Sequence, residues 1–88
     1  MAEYKILFDR DVEKDLGRIP KKIAINILKK AHNLCGNPRP PQSLKLTGTE
    51  GTYRLRVGDY RIIYCIDDTA HLVTVYHVRN RRDVYRNL

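Results

Sequence analysis

Arginine alternates with apolar residues in Tyr53-Arg54-Leu55-Arg56-Val57, returns as Arg61 just beyond Gly58-Asp59, and recurs as Arg79, Arg81, Arg82 and Arg86 near the C-terminus. A guanidinium is a planar fork that stays protonated, grips phosphate through paired hydrogen bonds and stacks on bases. Tyrosine adds a π-face, and five of the six tyrosines (Tyr53, Tyr60, Tyr64, Tyr76 and Tyr85) share this segment. Such a mixture suits a nucleic-acid backbone. All seven lysines, by contrast, precede Gly51. Lys21, Lys22, Lys29 and Lys30 punctuate a helical stretch and read as solvated surface charge, whereas Lys45 is expected to join Arg54, Arg79 and Arg82 in neutralising phosphate. For the arginines, too, solvated surface charge is the competing account.

The elements that must position these side chains follow from periodicity. Tyr4 to Phe8 reads as a first strand, apolar enough to be substantially buried. Asp9 suits an N-cap, and Val12, Leu16 and Ile19 recur at helical spacing in a short helix interrupted near Gly17. Pro20 opens a second helix with an apolar stripe of Ile23, Ile27, Ala31 and Leu34, ended by Gly36 and Pro38. From Leu44 the period becomes two, with strands at Tyr53–Val57, Tyr60–Ile66 and His71–Val78. The expected fold is α+β, a β-α-α-β-β-β sandwich over residues 1–88 as one domain. Its sheet is largely antiparallel with the helix hairpin on one face, and a short C-terminal helix or arm follows.

A two-residue loop at Gly58-Asp59 pairs Val57 with Tyr60, Arg56 with Arg61, Leu55 with Ile62 and Arg54 with Ile63. Leu55, Val57, Tyr60, Ile62 and Tyr64 then face the helices, while Arg54, Arg56 and Arg61 share the opposite face. Like charges directly opposite are unfavourable by a few tenths to ~1 kcal/mol, so an anion there is the natural complement. If the turn at Asp67 to Ala70 pairs Ile66 with His71, Arg61 neighbours Tyr76, and Val73, Val75 and His77 point toward the helices. The basic face then runs on into Arg79 and Arg81. Ile63, Cys65 and Leu72 continue it as an apolar area, suited to a protein partner.

Composition narrows the function class. Eighty-eight residues with 17 Lys+Arg against 10 Asp+Glu give a formal charge of +7, which fits one small domain that binds polyanions. A chain this short buries only ~60–65% of its unfolded surface, which disfavours a large enclosed substrate cavity. No stretch approaches a membrane span, and the start MAEYKILFDR lacks the apolar run of a signal peptide, so a cytoplasmic location is expected. Cys35 and Cys65 could form one disulfide, but two small hydrophobes in a reducing compartment is the preferred account. Neither they nor His32, His71 and His77 show metal-ligand spacing, so no metal or other cofactor is implied.

The segment Tyr53-Arg54-Leu55-Arg56-Val57-Gly58-Asp59-Tyr60-Arg61-Ile62-Ile63-Tyr64 resembles the central hairpin of the RelE/ParE superfamily of toxin–antitoxin toxins. Arg81-Arg82-Asp83-Val84-Tyr85-Arg86 resembles its C-terminal motif on the RelE-like branch. The resemblance spans the chain and implies an endoribonuclease that enters the ribosomal A site and cuts messenger RNA without a metal. It also implies a cognate antitoxin, with operator DNA reached only through the antitoxin complex. Carried over position by position, its working set is Arg54, Arg56, Arg61, Arg81 and Tyr85. Two departures stand out: Arg54 and Arg56 replace lysines of the best-known pattern, and Asn80 replaces a frequent histidine or lysine.

On that basis the RNA 2′-hydroxyl attacks the adjacent phosphate, giving a 2′,3′-cyclic phosphate and a 5′-hydroxyl. Arginine is a poor base, so Arg56, Arg61 and Arg81 are cast as clamps that stabilise transition-state charge. Tyr85, whose phenolate is favoured by surrounding guanidinium groups, is cast as the general base. His77, pointed inward by the register, reads as a core histidine. ParE-like toxins share the fold but inhibit DNA gyrase, and a non-catalytic RNA- or ribosome-binding module would use the same basic face.

Overall fold

The computed structural model describes residues 3–48 and 51–80. Along the chain, β1 (Lys5–Phe8) leads into α1 (Arg10–Gly17) and α2 (Lys21–Asn33). These are followed by β2 (Ser43–Lys45), β3 (Thr52–Val57), β4 (Tyr60–Asp67) and β5 (Leu72–Asn80). The strands form one sheet in the order β1-β5-β4-β3-β2, in which only the β1–β5 pair is parallel. The α+β architecture is as expected, with one strand more than β-α-α-β-β-β. Gly48 and Gly51 adopt φ values of 80° and 72°, and the stretch after Leu44 divides so that Ser43–Lys45 pairs back on Tyr53–Leu55. At Gly51 a Cβ would stand 2.9 Å from the Ile66 carbonyl oxygen, so no larger residue fits without moving β4.

One face of the sheet and the two helices enclose the core. Val12 from α1, Ile27 and Ala31 from α2, and Leu34 just beyond it meet Leu55, Val57, Ile62, Tyr64, Ile66, Val73, Val75 and Val78. Each fully buried aliphatic side chain contributes roughly 1.5–3 kcal/mol, and Ile62, Val73 and Val75 are shut off from solvent completely. Tyr64 is equally buried; its hydroxyl donates to the Pro38 carbonyl at 2.8 Å and so stays satisfied.

β1 departs from expectation. It is an edge strand in which Lys5, Leu7 and Phe8 are exposed and Ile6 packs against the core. A run of apolar residues does not distinguish a central strand from an edge strand with one covered residue.

The β4–β5 pairing also differs. Asp67 Oδ1 accepts the Ala70 N–H at 3.0 Å, and His71 takes a left-handed φ of 51°, so the turn closes with Asp67 opposite Leu72. A bulge in β5 between the Tyr64–Val75 and Ile63–His77 pairs then moves Arg61 opposite Arg79, not Tyr76. His77 consequently leaves the helix side and shares a face with Ile63. Its assignment as a core histidine is overturned.

At the far end of the molecule a polar cluster ties four segments together. Arg39 grips Asp68 through Nη1 at 3.1 Å and Nη2 at 2.7 Å, and its Nε donates to the Tyr53 hydroxyl at 3.0 Å. The Tyr4 hydroxyl also donates to Asp68, at 2.6 Å. These bonds, first those from Arg39, lower the Asp68 carboxyl from 3.8 to about 2. The depressed value means that the native state favours ionised Asp68: its contribution is complete above pH ~4 and is lost as pH falls toward 2. We therefore expect Asp68→Asn to melt below wild type at neutral pH. In thermal melts that difference should shrink between pH 4 and 2.

Cys35 and Cys65 are free thiols: Cys35 donates to the Tyr4 carbonyl at 2.7 Å, and Cys65 lies 3.2 Å from the Thr52 hydroxyl. Among the described residues, no helix is long and apolar enough to cross a membrane.

Candidate active site on the open sheet face

The hairpin register places arginine against arginine. Gly58, at φ 60°, supplies the positive φ that a two-residue loop needs at its first position, and Val57↔Tyr60, Arg56↔Arg61, Leu55↔Ile62 and Arg54↔Ile63 form as the alternation predicts. Because the bulge brings Arg79 opposite Arg61, Arg56, Arg61 and Arg79 form a row across β3, β4 and β5 on the face away from the helices. The next row holds Leu44, Arg54, Ile63 and His77.

The three arginines of the first row differ in setting. Arg56 is exposed, and its Nε donates to the Gly58 carbonyl at 3.3 Å. Arg61 is only 7% exposed; its Nη1 donates to the Tyr60 carbonyl, also at 3.3 Å. Arg79 turns to the open end of β5, where its Nε lies 3.7 Å from Asp15 Oδ2 and its Nη2 3.2 Å from His77 Nδ1. The ion pairs among the described residues are Arg39–Asp68, His77–Asp15 and Arg79–Asp15, so none of them neutralises Arg54, Arg56 or Arg61. A row of cations with one internal carboxylate at its end is arranged to receive an anion.

Lys45 is not brought into this set. From β2 it pairs with Tyr53 of β3, whereas Leu44 pairs with Arg54, so Lys45 lies on the opposite face from Arg54. Arg81, Arg82 and Tyr85, and with them the expected terminal helix or arm, lie outside the described residues.

Apolar side chains share the rest of the open face with Thr52, Thr74, Asp67 and Lys5. Leu44 and Leu7 are about half exposed, and Ile63, Cys65 and Leu72 are half-buried. Beside Arg56, beyond the reach of β2, a cleft of ≈ 250 Å³ runs between β3 and the end of α2. Leu34 and Leu55 line it together with Lys30, Asn33, Asn37 and Gln42, which places amides and a second cation in the same cleft as Arg56.

Asp15 was not among the residues singled out from sequence. Its signal is its position: with Val12, Leu16 and Ile19 it completes an i, i+3, i+4, i+7 pattern, so a carboxylate stands within the apolar stripe of α1. No group of three or more His, Cys, Asp and Glu side chains with metal-binding geometry occurs among the described residues.

Comparison with known proteins agrees with this fold. Residues 6–85 match the family described as "ParE toxin of type II toxin-antitoxin system, parDE". The chain is 33% identical over 84 residues to Toxin RelE of Mycobacterium tuberculosis (strain ATCC 25618 / H37Rv), covering 94% of this chain and 87% of that protein. It is 30% identical over 84 residues to Toxin RelG of the same strain, covering 94% and 97%. In structure it is similar to the toxin of the archaeal RelE–RelB complex from Pyrococcus horikoshii OT3, with a TM-score of 0.80, 29% identity, and coverage of 92% of this chain and 97% of that one. By sequence match along nearly its whole length and by its fold, this chain belongs to the RelE/ParE superfamily of toxins from type II toxin–antitoxin systems.

Proposed function

We propose that this toxin is a ribosome-dependent endoribonuclease that cuts messenger RNA in the ribosomal A site without a metal, and that a cognate antitoxin neutralises it. The observation that carries this reading is the Arg56–Arg61–Arg79 row on the open sheet face. Three arginines in register on adjacent strands suit a phosphodiester that gains negative charge as the 2′-oxygen attacks. In this reading Arg81 adds a further clamp and Tyr85 removes the 2′-hydroxyl proton, while Arg54 and Arg82 hold neighbouring phosphates. The P–O5′ bond breaks, leaving a 2′,3′-cyclic phosphate and a 5′-hydroxyl. RelB stands beside RelE in the Pyrococcus horikoshii complex, which supports a RelB-type partner here, and the apolar part of the open face offers it a surface. Operator DNA would be reached only through that complex.

Primer extension on a messenger translated by purified ribosomes tests the proposal. Cuts in codon register are expected when the toxin is added and absent when ribosomes are omitted. The ParE description of the matched family favours a second reading, inhibition of DNA gyrase. Loss of gyrase supercoiling with intact messenger would select it, and neither effect would leave a non-catalytic RNA- or ribosome-binding module.

Binding has its own signature. Each phosphate neutralised on single-stranded RNA adds ~0.7 to the magnitude of the logarithmic salt slope, so Arg54→Ala should weaken ribosome association and flatten its slope by about that amount. Lys45→Ala reports whether RNA wraps around the β2 edge to the other face. A filter-binding titration across salt concentrations measures both.

A further inference from the structure

The buried carboxylate at the end of the arginine row has more than one task. Asp15 is 8% exposed, and its Oδ2 accepts the Val78 N–H at 3.0 Å. β1 pairs with β5 only from Leu72 to Val75, so beyond that point Asp15 satisfies the backbone in place of a strand. That bond needs an acceptor but no charge. The charge finds its purpose in the neighbours: the same oxygen lies 3.7 Å from Arg79 Nε and 3.9 Å from His77 Nδ1.

His77 and Arg79 compete for this one carboxylate, and they also touch each other, Arg79 Nη2 to His77 Nδ1 at 3.2 Å. Arginine can only donate, so in this arrangement Nδ1 is placed as the acceptor. Among the described residues, the charged groups around the ring are Asp15 from α1, Arg79 on β5 itself, and Arg61 from β4 one row away; β1 ends before reaching it. A phosphate that drew the Arg79 guanidinium into the row would free Nδ1 to take a proton and point it at Asp15, leaving the N–H at Nε2 free to act.

We propose that His77 is the general acid of this toxin, protonating the leaving 5′-oxygen, and that Asp15 is the positioning residue that holds it. The proposal rests on the RNA-cleaving reading above. In the step, the 2′-hydroxyl loses its proton to the base, the 2′-O–P bond forms and the P–O5′ bond breaks. The Nε2 proton passes to O5′, leaving a neutral imidazole and a 5′-hydroxyl; exchange with water restores both groups. Arg79, which takes the phosphate, couples substrate arrival to charging of the acid.

The test uses ribosomes programmed with a messenger whose A-site linkage carries either the natural 5′-oxygen or a 5′-bridging sulfur, a leaving group that departs without protonation. His77→Gln should cut the oxygen substrate ~10²-fold more slowly than wild type, the scale of a lost general acid, yet cut the sulfur substrate at close to the wild-type rate. Asp15→Asn keeps an acceptor for Val78 N–H and removes only the charge, so it should show the same split with a smaller loss. Thermal melting checks that both variants fold, and Asp15→Asn carries the test if His77→Gln does not. An undiminished rate on the oxygen substrate, or equal slowing on both substrates, would overturn the assignment. Failure of the wild-type protein to cut either substrate would instead remove the nuclease reading itself.

Discussion

Tyr85→Phe is expected to slow single-turnover cleavage on programmed ribosomes by ~10²–10⁴-fold while leaving ribosome binding and the melting temperature nearly unchanged. The substitution keeps the ring and deletes only the hydroxyl, which separates proton transfer from packing. Among the residues proposed to act on RNA, the arginines are protonated throughout the accessible pH range and cannot accept the 2′-hydroxyl proton. Tyr85 lies among Arg81, Arg82 and Arg86 in sequence, and positive neighbours favour a phenolate. Cleavage by Tyr85→Phe at the wild-type rate would remove the phenolate base and leave arginine clamping as the main source of rate. A loss matched by a collapse of the melting transition would return Tyr85 to a packing role.

Arg61 carries the second large expected effect. It sits between Arg56 and Arg79 in the row, which makes it the central one of the proposed clamps. Arg61→Ala should cost ~10²–10³-fold in cleavage, the scale of losing one donor to a developing oxyanion. Arg61→Lys retains charge without the fork and should fall between wild type and Ala. Stability separates Arg61 from its neighbour. Arg56 is exposed, so Arg56→Ala relieves like-charge repulsion with little packing lost and should raise stability by a few tenths of a kcal/mol, roughly 1–3 °C in Tm. Arg61 is 7% exposed, and Ala there also removes a packed aliphatic stem, which offsets that relief. Arg56→Ala should therefore be the more stable of the two Ala variants, and both should cut more slowly than wild type. Equal activity of Arg61→Lys and wild type would argue that the fork is not used.

The hairpin was legible because its information is local. Alternation of basic and apolar residues from Tyr53 to Val57, plus a two-residue loop whose first residue can take a positive φ, determine the register without any distant contact. The helices were legible for the same reason: Val12, Ile27, Ala31 and Leu34 lie where the 3.6-residue period places them. What was not legible depends on partners remote in the chain. A bulge in β5 shifts Tyr76 and His77 by one place, and nothing in Val75-Tyr76-His77-Val78 announces it, since two neighbouring half-polar residues satisfy either phase of a two-residue period. The turn, closing with Asp67 opposite Leu72, accounts for two further places, so turn and bulge together replaced an expected Arg61–Tyr76 contact with Arg61–Arg79, and the bulge carried His77 to the open face. Asp15 meets β5 from 63 residues away at Val78, and only the docking of α1 on the end of that strand reveals the contact. Lys45 fell on the other face because the extra strand fixes its parity through pairing with Tyr53.

Analysis of the RNA ends left after a single turnover on programmed ribosomes, with metal ions other than those the ribosome requires removed, tests the central claim most directly. The arginine row, acting as clamp for attack by the 2′-oxygen, predicts a 2′,3′-cyclic phosphate on the upstream fragment and a 5′-hydroxyl on the downstream one, both missing with Arg61→Ala over the same time. A 5′-phosphate on the downstream fragment would mean that water, not the 2′-oxygen, is the nucleophile, and would contradict the account.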